Sequence, residues 1–125
     1  HIEFFKTEDD YIAIEYNNRP AGAFALDVYN YSHSADFFKL YAEVVVGKDV
    51  ELNLDSKYGL ASTRRDYKDY AHTEEEIRHK YQEKLKAVLR IPEAFSELQG
   101  DIMYVLVADT LDEMREMEDF VGKLK

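Results

Sequence analysis

The chain has 125 residues, 46% of them hydrophobic, which suits one domain of ordinary size or two small lobes sharing an interface around a real core. Its 16 basic residues against 26 acidic ones give a net charge of −10, which leaves no electrostatic footprint for a nucleic-acid backbone. No run approaches the ~20 apolar residues of a membrane span and no signal-peptide pattern is present, so the expectation is a soluble, cytoplasmic chain with no membrane partner. The absence of cysteine excludes disulfides and thiolate zinc sites. A start at His1-Ile2-Glu3-Phe4, without an initiator methionine, predicts a piece cut from a longer protein.

Residues 2–6 and 11–16 are apolar-polar runs separated by Thr7-Glu8-Asp9-Asp10, the pattern of a β-hairpin. Asn17 to Gly22 is a loop of Asn, Pro and Gly. Residues 24–32 read as a helical turn or a loop. Ser34 reads as an N-cap with Asp36 in the first turn, opening a helix with Phe37, Phe38, Tyr41, Val44 and Val45 on one stripe, which Gly47 stops. Residues 48–55 connect two lobes. Residues 58–64 read as a strand. Thr73-Glu74-Glu75-Glu76 is a capping box, followed at helical spacing by Ile77, Tyr81, Leu85 and Val88, with Pro92 as the stop. Six apolar residues, 102–107, predict a strand covered on both faces. Thr110-Leu111-Asp112-Glu113 is a second capping box, and Met114, Met117, Val121 and Leu124 form the inner face of the last helix. The fold class expected is α+β, divided into residues 1–48 and a small C-terminal lobe, 49–125.

Chemistry concentrates at the hairpin. Glu15, Asn17 and Arg19 alternate, so in an extended backbone their side chains leave from one face, and Glu3 holds the same alternation in the preceding run. Two carboxylates and an amide oxygen are a hard oxygen-donor set, suited to Mg²⁺ bridging nucleotide phosphates. Arg19 would meet a phosphate or carboxylate bidentately. Elsewhere the sequence is less specific. His72 and His79 have no ligand spacing, no Ser/His/Asp arrangement is recognisable, and Tyr67, Tyr70 and Tyr81 read as packing. The sequon Asn30-Tyr31-Ser32 reads as chance, and Asn18 as a turn residue.

At Glu3 and at Glu15-Tyr16-Asn17-Asn18-Arg19-Pro20-Ala21-Gly22 the chain resembles the ATP-grasp superfamily, most closely its biotin carboxylase and carbamoyl phosphate synthase branch and the related carboxylate–amine ligases. The likeness covers residues 1–48. Beyond them Tyr58 to Arg65 looks faintly like a strand of the family's C-terminal lobe.

The resemblance implies that Glu3, Glu15 and Asn17 hold Mg²⁺ (or Mn²⁺) on ATP. It further implies that Arg19 is catalytic, lying over the transferred phosphate or the small-molecule carboxylate that receives it. By the weaker match, Arg65 is a substrate or phosphate arginine. The family forms an acyl-phosphate that an amine or other nucleophile attacks. Its nucleotide-gripping lysines and glycine-rich loop precede the equivalent of His1, so this chain would work with the N-terminal remainder of the same protein and would not be active alone. Residues 49–125 would cover the substrate side or form a subunit interface, a homodimer included. The rival readings are a degenerate ATP-grasp protein and a non-catalytic α+β interaction module.

Overall fold

A computed structural model describes residues 1–125 and shows an α+β chain with two antiparallel sheets. Strands β1 (Ile2–Lys6) and β2 (Tyr11–Tyr16) form the hairpin. Helices α1 (Ala25–His33) and α2 (Phe37–Val45) follow. The second sheet takes β3 (Tyr58–Arg64), β4 (Leu85–Arg90) and β5 (Ile102–Ala108), and α3 (Glu74–Lys80), α4 (Glu93–Gln99) and α5 (Leu111–Gly122) alternate with them. No helix is long and apolar enough to cross a membrane.

In the larger sheet the strand order is β3-β5-β4, with β5 antiparallel to both neighbours. Since β3 and β4 run the same way with β5 between them, this is a split β-α-β arrangement. The last strand therefore becomes the central one, and both of its faces must be covered. Tyr104, Leu106 and Ala108 join Leu60, Ile77, Tyr81, Met117 and Val121 in one core. Met103 and Val105 join Ile91 in a second core, closed by Phe24, the N-cap of α1, and by Val28 within it. Burial on both faces is what the unbroken apolar run at 102–107 encodes.

Helix α1 ties the two halves of the chain together, because it belongs to residues 1–48 yet packs on the sheet of residues 49–125. Gly59 permits the approach: a Cβ there would lie 2.6 Å from Val28 Cγ1 and 3.2 Å from Ser32 Cβ. Hydrogen bonds Lys57 N–H to Ser32 O (3.3 Å) and Asp55 N–H to His33 O (3.1 Å) fix the connecting segment along the helix. The hairpin, by contrast, is exposed at every residue of both strands, including Phe4, Phe5, Ile12 and Ile14.

Several boundaries differ from the sequence expectation. Ser34 does not open α2. It ends α1 in the left-handed conformation (φ 51°), and Asp36 is the cap, its carboxylate accepting the Lys39 N–H at 3.0 Å. Leu85 and Val88 belong to β4, not to the helix begun by Ile77 and Tyr81. An irregularity between Leu85 and Ala87 shifts the strand's phase, so Leu85 and Val88 both reach the first core while Ala87 and Leu89 reach the second. Two strand residues three apart on one face imitate helical periodicity. Pro92, expected as a stop, is the N-cap of α4, a position that suits its fixed φ and its missing N–H.

The capping box at Thr73 forms in full, with Thr73 N–H donating to Glu76 Oε2 at 2.7 Å. That backbone donor holds the Glu76 carboxyl below its ordinary range. At Thr110 only one half forms, since Glu113 reaches the N–H of Asp109 instead. Leu124 lies past the end of α5 and is half exposed.

The close approach at Gly59 gives a direct test. Gly59→Ala is expected to lower unfolding stability by about 1–3 kcal/mol through overpacking. The loss should shrink by about 1 kcal/mol when Val28→Ala is already present. Urea denaturation of the two single variants and the double variant measures this coupling, and strict additivity would contradict the packing described.

Candidate functional site

The hairpin register places Glu3 directly opposite Glu15, so both carboxylates leave from one face. His1 and Asn17 extend the ladder by one pair, with Asn17 N–H donating to His1 O at 2.8 Å and the His1 nitrogen donating to Asn17 O at 3.1 Å. The result is a two-by-two patch of His1, Glu3, Glu15 and Asn17. His1 Nε2 lies 2.9 Å from Glu3 Oε1, and Asn17 Nδ2 donates to Glu15 Oε1. Sequence reasoning missed His1, although the alternation His1, Glu3 already placed it on the acidic face.

Arg19 is positioned differently from its neighbours. Strand β2 ends at Tyr16, so the alternation that aligns Glu15 with Asn17 no longer governs Arg19. Its carbonyl accepts from the His1 nitrogen at 2.8 Å, which folds the loop back over the hairpin end. Its guanidinium forms no ion pair, and Nη1 donates to the Pro20 carbonyl at 3.1 Å.

Arg19, Asn17, Asn18 and His1 edge a groove of about 670 Å³ between the hairpin end and α1 and α2. Glu3 and Glu15 do not line it, whereas His1 and Asn17 belong both to the groove and to the acidic face. The far wall is apolar and is held in place by Asn30. The Asn30 side-chain oxygen accepts the Phe37 N–H at 2.7 Å, joining α1 to the first turn of α2. Rings pack across that joint, with Tyr29 and Phe37 centroids 6.0 Å apart.

No group of three or more His, Asp and Glu side chains is gathered so that it could hold a metal ion. The acidic face offers two opposed carboxylates with an amide beside them. The amide nitrogen of Asn17 is turned to Glu15, which orients its oxygen away from that carboxylate.

Arg65 lies apart from this region. Its guanidinium donates to the carbonyls of Ser96 and, at 2.7 Å, Glu97, the last turn of α4. A cation there satisfies open carbonyls and complements the helix dipole. Its neighbour Arg64 is buried against the Tyr70 and Tyr104 rings and donates to the carbonyls of Val121 and His72, both at 2.7 Å.

No protein-family model, curated protein or solved structure matches this chain.

Like charges directly opposite each other destabilise a strand pair by about 0.2–1 kcal/mol. Glu15→Gln removes the repulsion from Glu3 and keeps an oxygen for the Asn17 amide. Amide hydrogen exchange across β1 and β2 is expected to slow correspondingly in this variant. Unchanged or faster exchange would show that the two carboxylates do not repel.

Proposed function

We propose that the chain is the C-terminal, metal-and-anion part of an ATP-grasp ligase, working with an N-terminal remainder that grips the nucleotide in the cytoplasm. The observation that carries the reading is the opposition of Glu3 and Glu15 on one face of the hairpin, with Asn17 bonded to Glu15 and the Arg19 backbone folded back onto His1. Two opposed acids are unfavourable for the hairpin alone, and a divalent cation relieves their repulsion. Mg²⁺ commonly takes one or two carboxylates together with substrate phosphates and water, so the absence of a complete protein cage is compatible with it.

Under this reading Glu3, Glu15 and Asn17 supply oxygen donors to Mg²⁺ or Mn²⁺, which would neutralise charge on the phosphates of ATP. Arg19 orients the acceptor carboxylate and, after ADP has left, stabilises the oxyanion formed when the nucleophile adds to the acyl-phosphate carbon. Arg65, occupied at the end of α4, is left out of the proposed chemistry.

The exposed apolar residues on both hairpin strands support the same reading, because two strands alone are marginal in water and suit the end of a larger sheet. The same exposure favours one rival, a non-catalytic module whose hairpin mates with another protein. The full-length protein separates the two. Glu15→Gln is expected to reduce Mg²⁺-dependent ADP formation by about 100-fold or more, with the fold unchanged by circular dichroism. Undiminished magnesium-dependent ADP release would refute the ligase reading.

A further inference from the structure

The groove beside Arg19 has a charge pattern opposite to that of the chain. Although 26 of the 125 residues are acidic, no Asp or Glu lines it, and its charged side chain is the arginine. That arginine makes no salt bridge and donates only to its neighbour's carbonyl. Eleven of the sixteen lining residues are hydrophobic, the apolar wall including Leu26, Tyr29, Phe37, Leu40, Tyr41 and Val44. At about 670 Å³ the groove is within the range of small-molecule sites, roughly 300–1,000 Å³. Its form is a cationic end joined to an aromatic and aliphatic wall.

Resting on the ligase reading, we propose that this groove selects the carboxylate substrate and that the substrate is an acid with a hydrophobic body. The carboxylate meets Arg19, and the hydrocarbon lies against α1 and α2. A small polar acid would leave the wall wet, and an amine with the same body would bring a cation to a cation. Asn17, shared between the groove and the acidic face, borders both the acid-binding and the metal-binding regions.

The test titrates the isotope-labelled chain with 4-phenylbutyrate, 4-phenylbutylamine and acetate, following backbone amides by NMR. The expected result is saturable shifts with phenylbutyrate at Arg19, Tyr29, Phe37, Leu40 and Val44. Amine and acetate should bind at least about tenfold more weakly. Arg19→Gln, an exposed loop position, should reduce phenylbutyrate to the amine's level without altering the rest of the spectrum. Glu8→Gln, in the turn at the far end of the hairpin from the groove, should leave the affinity within about twofold.

No saturable shift at the groove by about 10 mM, or equal binding of amine and acid, would overturn the proposal. If phenylbutyrate fails while Glu15→Gln still abolishes ADP formation in the full-length protein, the substrate class falls and the ligase reading stands. Phenylbutyrate binding alongside undiminished ADP formation in Glu15→Gln would overturn the substrate assignment together with the ligase reading, leaving only an acid-binding groove.

Discussion

The rest of the molecule depends on β5 being buried on both faces. A central strand antiparallel to both neighbours needs two covers, and the chain supplies them from different regions. Helices α3 and α5 close one face with Ile77, Met117 and Val121. The other face is closed by Phe24, the N-cap of α1, and by Val28 of α1, whose approach the bare backbone of Gly59 admits. Placing α1 in turn places α2, through the Asn30 side chain at its first turn, and α2 is the wall that faces Arg19 across the groove. A packing requirement in the second half of the chain thus sets the shape of the candidate site in the first.

How much of this was legible in the sequence depended on whether the signal was local. The hairpin, the strand at 58–64, the apolar run of β5 and the Thr73 box are local patterns, and the structure has each. The opposition of Glu3 and Glu15 needed more than hairpin pairing: the register from Lys6–Tyr11 to Phe4–Ala13 would set Glu3 against Ile14, and the irregularity between Glu3 and Phe4 brings it opposite Glu15. What failed to show involved tertiary structure or a break in periodicity. The irregularity in β4 made Leu85 and Val88 resemble a helix face. Helix α4 is only seven residues long, and its proline signalled a stop where it is a start. The left-handed Ser34 separated two helices where one start had been expected.

The groove was illegible for a different reason. Its arginine and its apolar wall come from separate elements, and only the packing of α1 on the sheet brings them together. Arg65 illustrates the converse: an arginine that sequence likeness marked for substrate closes the end of a helix.

The account's central claim is that the acidic face of the hairpin, and not the more heavily charged helix surfaces, is where a divalent cation binds. Manganese titrated into the isotope-labelled chain tests it most directly, since the paramagnetic ion broadens amides near its site. The account predicts broadening centred on Glu3, Glu15 and Asn17 and its loss when both glutamates become glutamine. Broadening that follows Glu74, Glu75, Asp112 and Glu116, with the hairpin untouched, would contradict it.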